Sequence, residues 1–381
     1  MGRATEFQIS PAMIGWIAER ENTEPQGLAE LLAPKKVEQF LAGVVNKSIA
    51  EKLARLANIP FGYLFLSQPP VINNPQIPDL RQTVGAEPLS KDFIDVLKDI
   101  ERKVDWYKEF LLENGDDTPR EFVNKFPYST TPNYIDVAQD IAKTIDFFIE
   151  RDLPNTSREN YYRKLSARFE KIGILIFKNG VVGNNNKRKL NVEEFRGFAL
   201  IDNLVPAIFI NNADHPSAQL FTLLHEVAHI WIGQNGVSSW NQDRAVEAFC
   251  NKVAAEFLMP EALFLAKWAE SDENHAEYVA NYFKVSQLAT VVKAVQLNLL
   301  PQEAIEQARK QLKAAPQETN TGGHFYNMFP VKNSHRFTDA VVNQAMSLNL
   351  PLREAGKLLN VHADTVVGYY RHKRKELWNA S

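Results

Sequence analysis

His225-Glu226-Val227-Ala228-His229 lies inside the apolar run Leu220-Phe221-Thr222-Leu223-Leu224 to Ile230-Trp231-Ile232. On a helix, residues four apart share a face, so both imidazoles can address one metal ion. Glu226 sits one position round, where it addresses a water at the metal rather than the metal itself. The apolar flanks predict a buried helix, and buried imidazoles need partners. A structural zinc takes four protein ligands, whereas a catalytic one takes three and a water, so this chemistry calls for a third ligand.

The next stretch offers one. Asp243 to Leu258 reads as a second helix, with Ala245, Ala248, Phe249, Val253, Ala254, Phe257 and Leu258 as an apolar stripe and Met259-Pro260 as its stop. Glu247 and Asn251 lie four apart on its other face, and the 18 residues from His229 to Glu247 leave room for a turn and a return. Cys250, the single cysteine, is on the same helix and reads as a small core residue. One cysteine excludes an internal disulfide.

Residues 194–260 carry Glu194-Phe195-Arg196-Gly197-Phe198-Ala199-Leu200, then Ile208-Phe209-Ile210-Asn211-Asn212, then the two helices, the second as Glu247-Ala248-Phe249-Cys250-Asn251 to Met259-Pro260. Together they resemble the ImmA/IrrE family of metallopeptidases. The resemblance implies a zincin-like domain with His225, His229 and Glu247 as zinc ligands, Glu226 as general base and Asn251 in support beside them. Cys250 departs from the Ala usual before that Asn, and Val253 from the usual Phe; both stay small or apolar. Phe283-Lys284-Val285-Ser286-Gln287 resembles the helix that closes the family's peptidase domain.

Around this centre, 381 residues and 45% hydrophobic composition allow two or three cored domains. No run approaches the ~18–20 apolar residues of a membrane span, and the N-terminus lacks a signal pattern, so a cytoplasmic protein is expected. The net charge of −3 carries no global nucleic-acid signature, and DNA contact would have to come from a local basic face.

Ser10-Pro11 marks a helix start, followed by short helical stretches at Gly27–Leu32, Lys35–Leu41 and Ser48–Ala57. Their order and spacing resemble the Xre/Cro-like helix-turn-helix regulators, in the version fused to ImmA/IrrE peptidases, which implies Lys35 and Lys36 near phosphates. Phe40-Leu41-Ala42 stands where that family has a Trp-Glu pair and a polar recognition face. A helical module that packs without reading bases therefore stays open beside it. Prolines from Pro69 to Pro78 mark a boundary near residue 72, and Ile77-Pro78-Asp79-Leu80-Arg81 also recurs in the fused family, with Arg81 as an anchor for the connector.

Ser90 to Glu113 is a long amphipathic helix by its three- and four-residue steps, and two more fit Asn133–Arg151 and Arg158–Lys171. Ile172–Phe177, Phe195–Ile201 and Ala207–Ile210 predict a small antiparallel sheet, with Phe209, Ile210 and Asn211 lining an edge for an extended substrate. Gln311–Gly323 reads as a linker. Leu352 to Tyr370 then has the pattern of a second helix-turn-helix, ending in the basic residues Arg371, Lys373, Arg374 and Lys375, with a solvated helix hairpin as the alternative. His324 is a candidate carbonyl donor, while His215, His275, His335, His362 and His372 have no ligand spacing.

The expectation is an α+β, mostly helical chain: a helix-turn-helix-like bundle over 1–72, a helical connector over 73–160, a zinc metallopeptidase domain over 161–310, and a linker with a C-terminal helical module over 311–381. The expected function is a Zn2+-dependent endopeptidase acting on a specific regulatory protein and coupled to transcriptional regulation. The alternative is an antitoxin or repressor that binds DNA and a toxin, which the resemblance suggests is a PIN-like ribonuclease, with the metal site structural or vestigial. In either reading the protein partner is encoded by a neighbouring gene, and a homodimer is compatible.

Overall fold

The computed structural model describes residues 6–20, 23–57, 59, 61–69, 89–154, 156–234, 244–271, 274–314 and 325–380. The chain divides into two compact units, one of residues 1–82 and 87–94, the other of residues 83–86 and 95–381. Helices dominate and the strands are few, which is the α+β class expected. Among the described residues no helix is long and apolar enough to cross a membrane.

The smaller unit contains β1 (Glu6–Gln8), α1 (Pro11–Arg20), α2 (Pro25–Leu32), α3 (Val37–Leu41), β2 (Val44–Asn46) and α4 (Lys47–Ala57). The Ser10 hydroxyl accepts from Met13 N–H at 3.1 Å and so caps α1, with Pro11 at its first position. Met13, Ile14, Ile17, Leu28, Phe40 and Leu53 are buried, so the helices close on a small core. β1 and β2 pair as an antiparallel ribbon, and three-residue strands are too short for any alternation to announce them. Lys35 and Lys36 are exposed in the turn before α3, a helix of five residues.

The larger unit carries α5 (Lys91–Glu113) from Asp95 onward, then α6 (Tyr134–Thr144), α7 (Ile149–Asp152) and α8 (Arg158–Lys171). The single helix expected over 133–151 is thus two. Asn133 caps α6 by accepting from Ile135 N–H at 2.9 Å, and Asp146 ends it in the left-handed region at φ 51. Phe147 N–H then returns to the Ala142 carbonyl at 2.9 Å, a Schellman closure that turns Phe147 into the core.

β3 (Leu175–Asn179), β4 (Val181–Val182), β5 (Asn185–Lys189), β6 (Gly197–Leu200) and β7 (Ala207–Asn211) follow. β4 and β5 form a separate two-stranded ribbon, and the main sheet has the order β3-β7-β6. β6 pairs antiparallel with β7 as expected, but β3 runs parallel to β7, from Leu175 opposite Ala207 to Asn179 opposite Asn211, so the sheet is mixed. Every residue of β7 is buried, which is the demand of a strand covered on both faces, and it takes the centre. Phe209, Ile210 and Asn211 therefore line no edge. Asn211 instead donates its amide to the Phe195 carbonyl at 3.0 Å and holds the entry to β6.

The remaining helices are α9 (Pro216–Ile232), α10 (Arg244–Leu258), α11 (Glu261–Ala269), α12 (His275–Phe283), α13 (Gln287–Gln296), α14 (Glu303–Ala314), α15 (Phe325–Asn333), α16 (His335–Met346), α17 (Leu352–Leu358) and α18 (Ala363–Ala380). One sheet face, with Ile176, Ala199, Ile208 and Ile210, joins the core built on α8, α9 and α10. On the other face Phe177 meets Phe337 of α16 at a centroid distance of 6.0 Å, and Phe209 faces Val96 and Ile100 of α5. The C-terminal helices thus pack back on the sheet, through α15 and α16 against β3.

Glu170, at the end of α8, secures that packing. Its carboxylate accepts from the Ser334 hydroxyl and from His335 N–H at the start of α16. Burial pushes the carboxyl up to about 7, against the pull of these bonds. In the unfolded chain it ionises near 4.5. The native state therefore keeps a proton that the unfolded state has lost; the resulting stabilisation is complete below that value, fades as pH rises, and is gone above about 7. Urea melts at pH 5 and pH 8 are expected to show wild type losing about 2–3 kcal/mol relative to Glu170→Gln between the two pH values. An unchanged difference would refute this assignment.

Candidate metal centre

α9 is buried nearly all round, with β6 and β7 on one side and α6, α8 and α10 on others. That is the place for a helix apolar on every face. Pro216 stands at its first position, and the His215 ring nitrogen accepts from Ser217 N–H at 3.3 Å, so His215 is a cap. At the other end Gly233 takes φ 67, while Asn124 and Phe126 donate their N–H groups to the Ile230 and Trp231 carbonyls at 2.9 and 3.0 Å. Trp231 stacks on Phe122 at 4.7 Å and donates its indole N–H to Asp140 at 2.9 Å. Burying such a side chain contributes about 2–3 kcal/mol, enough to fix the rotation of α9 about its axis.

With the helix so fixed, His225 and His229 turn toward α10. His225 Nδ1 donates to Asn251 Oδ1 at 3.0 Å, and His229 Nδ1 donates to the Gln234 carbonyl at 3.0 Å. Both Nε2 atoms then present lone pairs, and they lie 3.1 Å apart. Glu247 Oε2 is 3.2 Å from His225 Nε2, and its Oε1 is 3.4 Å from His229 Nε2. Arms of ~2.0–2.1 Å in a tetrahedral shell correspond to ligand separations of about 3.3–3.4 Å, so this donor set fits zinc. Two lone pairs and a carboxylate converging this closely repel one another unless a cation or a proton sits among them.

The protonation states agree. Burial alone would raise Glu247, but the two imidazoles hold it down to about 2, so the carboxylate is ionised. Burial holds His229 below the ordinary imidazole value, which keeps it neutral. Burial also lowers His225, yet Glu247 and Glu226 outweigh it and raise this ring, so a cation here competes with a proton. Burial pushes the Cys250 thiol up, in keeping with an inert core residue.

Glu226 is fully buried beside this group. Its neighbour across the gap is Gly197 on β6: a Cβ there would lie 2.7 Å from Thr222 Cγ2, 2.9 Å from the Phe209 carbonyl oxygen and 3.2 Å from Glu226 Oε1. Only glycine lets the sheet approach the carboxylate this closely. β6 is the outer strand of the sheet on this side among the described residues.

The structure brings together His225, His229 and Glu247, with Asn251 bonded to the first and Glu226 adjacent in the chain. The other expected site residues belong to other segments of the chain. Lys35 and Lys36 belong to the smaller unit, and Arg371, Lys373, Arg374 and Lys375 to α18. Arg81 and His324 lie outside the described residues, as do most of the expected linker and its junction with α15. Sequence reasoning assigned no role to Gly197 or Gln234. Gln234 acts through its main chain, which leaves no side-chain signal, whereas Gly197 stood in the quoted motif.

Residues 169–295 match the IrrE N-terminal-like domain of peptidase family M78, a span from the end of α8 into α13. The similarity supports metallopeptidase-like chemistry of the ImmA/IrrE kind for this region. Residues 333–372 match a domain of unknown function. No curated protein and no solved structure matches the chain.

Proposed function

We propose that the larger unit is a zinc endopeptidase that cleaves a specific regulatory protein encoded near its own gene. The observation that carries this reading is the pair of Nε2 atoms at 3.1 Å, each fixed by a hydrogen bond at Nδ1 and closed by Glu247. His225, His229 and Glu247 would hold the ion. Bound zinc supplies Lewis acidity and lowers the pKa of water to about 7. Glu226, adjacent to His225 and buried, takes the proton from the attacking water and returns it to the leaving amine. An extended peptide added along β6, the outer strand, would run past Glu226, because Gly197 brings that strand up against the carboxylate.

Metal analysis of purified variants separates the roles. His225→Ala, His229→Ala and Glu247→Ala are expected to lose zinc, and Glu226→Gln to retain about one equivalent, since three ligands make a catalytic site. Loss of zinc from Glu226→Gln with retention in Glu247→Ala would overturn the assignment. The function itself is tested by incubating the zinc-loaded protein with the product of each neighbouring gene and sequencing for new N-termini. Intact products throughout would count against the proposal.

A further inference from the structure

The C-terminal basic helix has a surface that the peptidase centre does not use. α16, α17 and α18 contact one another pairwise, and α17 has seven residues, α18 eighteen. The turn between α17 and α18 is four residues, Leu359 to His362, with Asn360 in the left-handed region at φ 56 and Val361 N–H returning to the Gly356 carbonyl at 2.8 Å. Ala355, Leu359, Val366 and Tyr369 are buried, as are Val341 and Ala345 of α16. Three mutually packed helices with a short turn before the last are the elements that a helix-turn-helix requires.

The solvent face of α18 is defined by packing. Lys373 turns to α16 and pairs with Asp339. Asp364, Arg371, Arg374 and Lys375 are exposed, and seven- and eleven-residue spacing puts Asp364, Arg371 and Lys375 on one stripe. Residues 325–381 contain eight Lys or Arg against four Asp or Glu, a net +4 in a chain whose total is −3. A positive helix face on a module of opposite sign to the rest of the chain fits a polyanion.

We infer that α16–α18 bind duplex DNA, with the front of α18 in the major groove. His362 and Asp364 are exposed at that front, and Asp364 can accept from a cytosine amino group. Arg371 lies about 10 Å further along the helix, close to the width of the groove, so it reaches the phosphate wall with Arg374 and Lys375. The deep, narrow groove of an RNA duplex does not admit a helix, which favours DNA. The matched family for these helices has no assigned function.

The test uses the full-length protein and a fluorescent 30-base-pair DNA duplex of arbitrary sequence, with an RNA duplex of the same sequence beside it. Wild type should bind the DNA at low salt, with a log affinity against log salt slope of about −2.7 or steeper for three phosphates. Replacing Arg371, Arg374 and Lys375 together by Gln should flatten that slope by about 2.7 and weaken binding at least ~10-fold, with thermal midpoint and zinc content unchanged. Lys35→Gln with Lys36→Gln should leave binding as it is. Selection from a random duplex library should enrich a motif that His362→Ala or Asp364→Ala relaxes. No DNA binding at low salt, equal binding by the folded triple variant, or tighter binding to the RNA would each overturn the inference. Glu226→Gln should bind the duplex like wild type, so failure of the peptidase reading is seen separately.

Discussion

Replacing Glu226 by Gln is expected to lower the rate of substrate cleavage by about 10²–10⁴-fold while leaving the fold, the zinc and the partner surface in place. Gln is nearly isosteric, and the site has no room for a larger change: Glu226 is fully buried, and a single Cβ at Gly197 would already reach within 3.2 Å of its carboxylate. On the roles proposed above, the substitution removes the proton acceptor and leaves the three metal-holding side chains, His225, His229 and Glu247. Cleavage of the natural partner, followed on a gel with zinc content measured in parallel, decides it. A zinc-loaded Glu226→Gln protein that keeps full biological activity would favour the regulator class, an antitoxin or repressor, in which the centre serves as a scaffold.

Lys293→Met should cost about 3–5 kcal/mol, the largest stability loss we expect from one side chain outside the metal centre. Lys293 of α13 reaches Glu256 Oε2 at 2.8 Å and the Met259 carbonyl, and both charged side chains are under a tenth exposed. Glu256 Oε1 also accepts from Glu261 N–H at 3.0 Å and so caps α11. Methionine keeps the stem and removes the charge, which leaves a buried carboxylate with the cap as its remaining contact among these. Adding Glu256→Gln should recover most of the loss, because the neutral amide still accepts from Glu261 and no longer needs a cation. Urea unfolding of the two variants is the measurement. A single variant within ~1 kcal/mol of wild type would mean that water reaches the pair.

Much of the centre was legible in the chain because its signal is local. Four-residue spacing of His225 and His229 decides that both rings share a face, and the apolar flanks decide that this face is buried; both follow from the helix period. The stripe from Ala245 to Leu258 likewise marked the second helix and put Glu247 and Asn251 on one side of it. Ser10 marks the first helix start because a cap acts within three residues of itself.

Tertiary structure decided what depends on distant partners. The strand segments were visible, but β7 lying between β3 and β6, parallel to one and antiparallel to the other, is a consequence of burying both its faces, and that moved Phe209–Asn211 from an edge to the interior. Lys293 and Glu256 are 37 residues apart, Glu170 and Ser334 are 164 apart, and no pattern in the chain links either pair. The basic tail read as one cluster, yet packing of α18 on α16 sends Lys373 to Asp339 and leaves Arg371, Arg374 and Lys375 outward. Which residues can do chemistry is set along the chain, since reactivity and helical period are properties of neighbours; which of them meet and which face water is set by folding, since burial depends on what the rest of the chain brings against them.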